Sequence, residues 1–106
     1  MDIATDTNFN GQMKISLDLS GGLEWLVGGK KENIIDVPEG TTVHGLVLFL
    51  RDNLFGGDPK REFCAGDDLR PGILYLINDA DFALVGEDHV LTANEQIALI
   101  STIHGG

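Results

Sequence analysis

The fold is decided by the stretch Met13-Lys14-Ile15-Ser16-Leu17-Asp18-Leu19-Ser20, in which apolar and polar residues alternate without interruption. Successive side chains of a strand point to opposite faces of a sheet. The four apolar residues therefore line one face, and the polar residues line the other. The pattern predicts a strand with one face in a core and one face in solvent.

The residues on either side of this strand predict how it begins and what it pairs with. Residues 1–12 are polar and lack periodicity, which predicts a disordered extension. Glycine pairs at 21–22 and 28–29 are typical of turns, with the short apolar piece 23–27 between them. Residues 33–37 then predict a second strand that ends at Pro38, so that the two strands form a hairpin.

A helix is predicted after this hairpin. Thr41 or Thr42 is the expected N-cap, because a threonine hydroxyl accepts a hydrogen bond from a free amide of the first turn. Gly56-Gly57 marks the C-terminal end. Apolar residues recur at helical spacing and share one face, which we expect to be buried: Val43, Leu46, Val47, Leu50 and Leu54.

The C-terminal half contains the remaining strands. Residues 56–72 are rich in Gly, Pro and Asp and predict a loop. The apolar run 73–77 predicts an interior strand buried on both faces. Residues 82–85 predict a short strand, and residues 97–103 predict a closing strand that carries the C-terminal tail outward.

The predicted order is strand, strand, helix, strand, short strand, strand. One helix packed against one mixed sheet is an α+β two-layer arrangement. A hairpin, a crossover helix and a last strand beside the first satisfy the rules for chain connections. These features predict a single β-grasp, or ubiquitin-like, domain over residues 13–106.

The composition narrows the classes of partner. The chain has 106 residues, with 7 Lys and Arg against 17 Asp and Glu, and a formal net charge of −10. Phosphate backbones and anionic lipids attract basic proteins. We therefore expect no direct nucleic-acid binding and no membrane binding, and an acidic surface that favours basic protein partners. The N-terminus does not resemble a secretory signal.

The polar residues show no pattern that indicates catalysis or metal binding. Cys64 is the one cysteine, and the carboxylates Glu62, Asp67 and Asp68 raise a thiol pKa, so a packing or loop role is favoured over a nucleophile. Three histidines, at 44, 89 and 104, are widely spaced and show no ligand pattern with Cys64. We expect no metal, no stably bound cofactor and no enzymatic activity in the chain itself.

The C-terminal pair Gly105-Gly106 is the candidate functional group. Two glycines carry no side chain past Cα, so a partner enzyme could hold their backbone and the terminal carboxylate in a channel too narrow for other residues. The alternative interpretation is a frayed chain end without function.

Several segments resemble the family of ubiquitin-related modifiers that double as sulfur carriers in eukaryotes. They are Leu-Ser-Gly-Gly-Leu-Glu at 19–24, Arg-Asp-Asn-Leu at 51–54, the stretch 70–81 and the tail 100–106. The stretch Arg-Pro-Gly-Ile-Leu-Tyr-Leu-Ile-Asn-Asp-Ala-Asp at 70–81 is the most specific. The resemblance spans residues 13–106 in the expected order. Ile103 stands where the family usually has Leu, which is a conservative change.

The resemblance implies a role for the C-terminus. A ubiquitin-activating-type enzyme with a rhodanese domain uses ATP to adenylate the carboxylate of Gly106, and a persulfide converts it to a thiocarboxylate. A transfer-RNA-thiolating enzyme complex then uses this sulfur for 2-thiolation of the wobble uridine. The activated terminus also forms isopeptide bonds with lysines of target proteins. A single cysteine suits a reducing compartment, and nothing in the sequence suggests an oligomer, so we expect a cytoplasmic monomer.

A covalently bound sulfur that must reach two enzymes needs a long, thin, mobile arm. We expect Thr102, Ile103, His104 and Gly105 to supply that arm on the rigid sheet and to be recognised by the activating enzyme. His104 has the alternative role of a solvated polar residue. An apolar patch on the sheet is expected to dock the enzyme, with candidates by position at Leu74, Leu76, Leu99 and Ser101.

Two further functions remain open on sequence. A carrier for molybdopterin or thiazole synthesis has the same fold and also ends in two glycines, although the stretch 70–81 favours transfer RNA thiolation. A ubiquitin-like interaction module with an inert C-terminus is the alternative from a different class.

Overall fold

The computed structural model describes residues 11–103. In this range there is one α-helix, α1 (Val43–Phe49), and the strands are β1 (Gln12–Ser20), β2 (Glu32–Pro38), β3 (Cys64–Ala65), β4 (Asp68–Leu69), β5 (Ile73–Ile77), β6 (Ala80–Asp81) and β7 (Gln96–Ser101). Five strands form a mixed sheet in the order β2-β1-β7-β5-β6, and β3 and β4 form a separate hairpin.

The first and last strands lie side by side at the centre of the sheet. β1 pairs antiparallel with β2 and parallel with β7, with Leu17 opposite Ile97 and Leu19 opposite Leu99. β5 pairs antiparallel with the other edge of β7. The chain reaches β5 and β7 only after α1 has crossed one face of the sheet. This is the α+β, β-grasp architecture that the sequence predicted.

The alternation in β1 is confirmed. Met13, Ile15, Leu17 and Leu19 are at most 5% exposed, whereas Lys14, Ser16 and Asp18 between them are exposed. Fully burying one such aliphatic side chain stabilises the fold by about 1.5–3 kcal/mol. The strand starts at Gln12, and the Gly11 carbonyl accepts the Glu39 N–H at 2.9 Å. Residues 11 and 12 therefore belong to the folded domain, and residues 1–10 lie outside the described range.

The helix begins and faces the sheet as predicted. Thr42 is the N-cap, and its Oγ1 accepts the Gly45 N–H at 3.0 Å. The predicted face is buried at Val43, Leu46, Val47 and Leu50 and partly buried at Leu54.

The helix ends in a wider turn that periodicity does not reveal. A π-helical turn, Leu50–Leu54, follows α1 and closes with the Phe55 N–H on the Leu50 carbonyl at 2.9 Å. The Gly57 N–H then bonds to the Arg51 carbonyl at 2.7 Å. The Gly56-Gly57 pair therefore ends the helix, as predicted.

Residues 56–72 were predicted as a loop, but they contain the β3–β4 hairpin. Asp58 organises this segment: its side chain is buried, and its carboxylate accepts the N–H groups of Glu62, Phe63 and Cys64 at 2.8–3.2 Å. The prediction was wrong because a buried carboxylate, rather than an apolar periodicity, orders this segment.

The other differences concern the ends and faces of elements. Residues 82–84 form a 3-10 helix capped by the Asp81 carboxylate, and the short strand is β6, immediately before it. Leu23–Val27 is also a 3-10 helix. β7 ends at Ser101, and not at Ile103. β5 is buried on one face only, since Leu74 is 44% exposed.

Within residues 11–103, no helix is long and apolar enough to cross a membrane.

Candidate functional site

The C-terminal tail leaves the domain from the centre of its sheet. β7 is hydrogen-bonded to β1 along one edge and to β5 along the other, and its inward side chains Ile97, Leu99 and Ser101 are buried. The pairing of β7 with β1 ends at Ile100, and its pairing with β5 extends to Ser101. His104, Gly105 and Gly106 lie outside the described residues, so the structure places the base of the tail.

Thr102 and Ile103 remain attached to the sheet. The Thr102 N–H donates to the Gly72 carbonyl at 2.8 Å, and the Thr102 hydroxyl donates to the same oxygen. The Ile103 N–H donates to the Ser101 hydroxyl at 3.3 Å. The Thr102 hydrogen bonds thus continue the contacts of β7 with the turn before β5. The mobile arm expected for residues 102–105 stays a prediction, although Thr102 and Ile103 contact the folded domain.

Ile103 nevertheless presents surface to a partner. Its side chain is 38% exposed, while one face of it contacts Gly72. The predicted recognition of Thr102 and Ile103 by an activating enzyme stays a prediction, and so does that of His104 and Gly105.

An apolar patch covers the solvent side of β5 and β7, next to the base of the tail. On this face Leu74 lies opposite Ile100, and Leu76 lies opposite Ala98. Leu74 is 44% exposed and the other three side chains are half-buried. We call these four residues the outer patch. Exposed contiguous apolar surface is typical of interaction sites.

The outer patch corrects two of the four candidates chosen from sequence. Leu74 and Leu76 lie on it, but Leu99 is fully buried and Ser101 is 5% exposed. Both point to the helix side, because alternate strand residues face opposite ways and Ile97 is inward. Ala98 and Ile100, which sequence reasoning missed, take their places.

The Arg51-Asp52-Asn53-Leu54 segment has a structural role. Arg51 donates to the carboxylates of Asp52 (2.8 Å) and Asp67 (2.9 Å) and to the Gly66 carbonyl (3.0 Å). The Asp52 and Asp67 hydrogen bonds raise the pKa of Arg51, and the bond from Arg51 lowers the pKa of Asp52. The side chain thereby ties the end of the helix to the β3–β4 hairpin.

Cys64 is a packing residue, as predicted. It is 2% exposed, and burial, with Asp58 as a second cause, raises its pKa to about 11. The thiolate is the reactive form of cysteine. Because the thiol stays protonated at neutral pH, Cys64 is a poor nucleophile.

The described histidines make separate contacts. His44 Nε2 lies 2.8 Å from the Asp67 carbonyl, and His89 Nε2 lies 2.8 Å from Glu95 Oε2. Within residues 11–103, no three His, Cys, Asp or Glu side chains are grouped so that they could hold a metal ion.

Sequence reasoning missed Gly72, which contacts the tail directly. The signal was present as Pro71-Gly72, a turn pair before β5, but its contact with residue 103 depends on the pairing of β5 with β7. Tyr75 was also missed as a polar residue: its hydroxyl donates to the Val43 carbonyl at 2.9 Å, which joins β5 to the start of α1.

Comparison with known sequences gives a family match over most of the chain. Residues 14–106 match the family model described as Urm1 (Ubiquitin related modifier). The chain is 42% identical over 100 residues to ubiquitin-related modifier 1 of Yarrowia lipolytica, covering 89% of this chain and 100% of the relative. It is 38% identical over 98 residues to the human protein of that name, covering 89% and 96%.

Solved structures agree with the fold. The solution structure of Urm1 from Trypanosoma brucei matches with a TM-score of 0.64 and 31% identity, covering 92% of this chain and 100% of that chain. The crystal structure of SAMP1 from Haloferax volcanii matches with a TM-score of 0.67, covering 88% and 99%. At 20% identity, the second match supports the fold alone.

Proposed function

The chain belongs to the ubiquitin-related modifier family, and we propose that it is a sulfur carrier and protein modifier whose reactive group is the carboxylate of Gly106. One observation carries the proposal: the family match continues to residue 106, so the Gly105-Gly106 end lies inside the matched segment. In this role the chain is the carrier, and the catalysts are its partners.

The first step activates a carboxylate that does not react with nucleophiles on its own. A carboxylate oxygen of Gly106 attacks the α-phosphorus of ATP in an activating enzyme, and pyrophosphate leaves. The product is an acyl adenylate, a mixed anhydride from which AMP is a good leaving group. ATP is thus a substrate of the enzyme and not a cofactor held by this chain.

The second step loads sulfur. The terminal sulfur of a persulfide on the enzyme's rhodanese domain attacks the acyl carbon, and AMP leaves. A second enzyme thiol attacks the inner sulfur of the acyl disulfide, forms an enzyme disulfide and releases the thiocarboxylate on Gly106. A thiol reductant then restores the enzyme.

The loaded terminus has two uses in this proposal. A transfer-RNA-thiolating complex in the cytoplasm takes the sulfur for position 2 of the wobble uridine. The activated acyl group is alternatively transferred to lysine ε-amino groups of target proteins, where an isopeptide bond forms. The net charge of −10 is consistent with a chain that meets basic protein surfaces and leaves RNA binding to the complex.

The geometry supports docking beside the tail. The outer patch of Leu74, Leu76, Ala98 and Ile100 lies on the two strands whose adjoining ends hold Thr102. An enzyme that covers this patch is also next to the base of the tail, at the C-terminal end of β7. The patch supplies the apolar centre of an interface.

Intact mass measurement tests the proposal. The chain is incubated with ATP, the activating enzyme and a persulfide donor, and a mass gain that corresponds to replacement of one oxygen by sulfur is expected. The matched control lacks Gly106 and is expected to gain no mass. An unchanged mass for the full chain would contradict the carrier role.

Cellular assays separate the alternatives. Deleting Gly106 is expected to abolish wobble-uridine thiolation and conjugate formation. Loss of molybdoenzyme activity or of thiazole synthesis, with thiolation intact, would favour the alternative carrier functions. If all of these activities survive the deletion, the interaction-module interpretation is correct.

A further inference from the structure

The base of the tail lies against two glycine turns. Gly21, in the turn after β1, and Gly72, in the turn before β5, both have positive φ, at +72° and +93°. Ser101 lies against the first turn, and Ile103 lies against the second. Both turns come from strands that flank β7.

Each contact is too close for any side chain. A Cβ at Gly21 would lie 2.0 Å from the Ser101 carbonyl oxygen, which is backbone and does not move aside. A Cβ at Gly72 would lie 2.2 Å from Cγ2 of Ile103. Other turn glycines with positive φ, including Gly28 and Gly86, have no atom within 4 Å of such a Cβ. Glycine is therefore required at positions 21 and 72 for two reasons: the positive φ, and the close contact with the base of the tail.

Hydrogen bonds to the Gly72 turn hold Thr102, the residue between Ser101 and Ile103. The Gly72 carbonyl accepts both the N–H and the hydroxyl of Thr102. The Gly72 turn thus provides one carbonyl oxygen that accepts two hydrogen bonds from Thr102. Because Gly72 has no side chain, the same turn also leaves space for the side chain of Ile103. We infer that the turn at Gly72 is a positioning element: it holds Thr102 and Ile103 on the sheet and so sets where the C-terminal carboxylate is presented for activation.

This inference rests on the proposed function and has a geometric consequence. Three residues, 104–106, follow Ile103, and an extended chain covers at most about 3.6 Å per residue. The carboxylate consequently stays within about 11 Å of Ile103. Release of Thr102 and Ile103 would lengthen the free segment to five residues, with a reach of about 18 Å. The activating enzyme would then have to order two additional residues.

Substitution at Gly72 tests the inference against a matched control. Gly72→Ala and Gly86→Ala place the same side chain at nearly the same φ, +93° and +91°, but only the first meets the tail. With the activating enzyme, ATP–pyrophosphate exchange is expected to show roughly a hundredfold lower kcat/KM for Gly72→Ala, since ordering each of the two freed residues costs about a factor of ten. The loss is expected in KM, with kcat retained. Gly86→Ala is expected to stay within about twofold of the unsubstituted chain.

A double-mutant cycle identifies the contact responsible. With Ile103 shortened to Ala, Cγ2 is absent, and the remaining contacts of a Cβ at position 72 are at 3.5 Å or more. The effect of Gly72→Ala on KM is therefore expected to fall to less than twofold in the Ile103→Ala background. Thr102→Val, which removes the hydroxyl donor and keeps the side-chain shape, is expected to raise KM in the unsubstituted background by a few-fold.

Hydrogen exchange gives a readout that does not depend on the enzyme. The Thr102 amide is expected to be protected in the unsubstituted chain and in Gly86→Ala, and to exchange at least tenfold faster in Gly72→Ala. If the unsubstituted chain supports ATP–pyrophosphate exchange, equal KM values for Gly72→Ala and Gly86→Ala would overturn this inference but not the proposed function. If the unsubstituted chain supports no ATP–pyrophosphate exchange, the proposed function is overturned, and the inference with it.

Discussion

At the scale of single residues, Asp58 shows how one buried carboxylate replaces regular structure. It is 6% exposed, has a φ of +56° and accepts the N–H groups of Glu62, Phe63 and Cys64. A buried amide left without an acceptor costs about 1–3 kcal/mol. One carboxylate therefore satisfies three backbone amides of the segment between the helix and β4.

Asp58→Ala is expected to lower the free energy of unfolding by about 3 kcal/mol, because three amides lose their acceptor. Asp58→Asn is expected to lower it less, since asparagine retains one acceptor oxygen and tolerates positive φ. Urea denaturation measures both values. Asp88→Ala, at an exposed position, is the control and is expected to change stability by less than about 0.5 kcal/mol. An equally small change for Asp58→Ala would contradict this account.

The raised pKa of Cys64 predicts that the stability of the fold depends on pH in the alkaline range. In the unfolded chain its thiol ionises near its ordinary pKa of 9.0, whereas burial raises the pKa to about 11 in the folded chain. Between these values the folded state binds more protons, so stability falls as pH rises. The free-energy difference between the unsubstituted chain and Cys64→Ala is expected to be constant below pH 9 and to shrink towards pH 11. A difference that stays constant to pH 11 would show that the folded thiol is not perturbed.

At the scale of elements, β5 and β7 combine a buried face with an exposed apolar one. Their inward side chains pack under α1, and their outward side chains form the outer patch. β1 has a polar outward face instead, with Lys14, Ser16 and Asp18. Of these three strands, only β5 and β7 therefore carry apolar side chains on the outward face.

Leu74→Ser is expected to raise the KM of the activating enzyme for this chain about fivefold or more, because the residue lies in the outer patch. The matched control is Ile34→Ser, on β2 at the sheet edge, where the side chain is 70% exposed. It is expected to leave KM unchanged. Both variants are expected to unfold within a few degrees of the unsubstituted chain. Equal effects at the two positions would show that the enzyme docks elsewhere.

At the scale of the whole molecule, residues 11–13 are part of the folded domain. Gly11 and Met13 are tied to the β2 region, through the Glu39 N–H and through pairing with Val37. We predict that residues 1–10 are dispensable for stability and for activation.

Deletion of residues 1–10 is expected to leave both the thermal midpoint and adenylation unchanged. Deletion of residues 1–13 is the contrasting variant: it removes Met13, which is 5% exposed, and is expected to cost about 2–4 kcal/mol. Loss of adenylation on deletion of residues 1–10 would show that the extension takes part in recognition.

The net charge of −10 predicts that encounter with a basic activating enzyme is electrostatically steered. The association rate is expected to fall severalfold between about 0.05 and 0.5 M salt, because the screening length shortens over this range. Stopped-flow measurements with the unsubstituted chain test this, with the dissociation rate expected to change much less. A salt-independent association rate would contradict steering.

Local patterns predicted most of the fold. The alternation of β1, the buried face of α1 and the Thr42 cap each depend on residues within one or two turns of one another, and all three are confirmed. The faces of β5 and β7 could not be predicted in this way, because both strands are apolar on adjacent positions and alternation is not visible. The choice of Leu99 and Ser101 for the surface was wrong for that reason.

The sequence by itself determined the β-grasp class and the helix face, since both follow from local patterns along the chain, while the role of Gly106 stays a prediction. Only the tertiary structure decided which side of β7 faces solvent and that Thr102 and Ile103 are held by the Gly72 turn. Gly72 and Thr102 are 30 positions apart, and they meet because β5 pairs with β7. Contacts of that kind depend on strand register, and no local pattern specifies them.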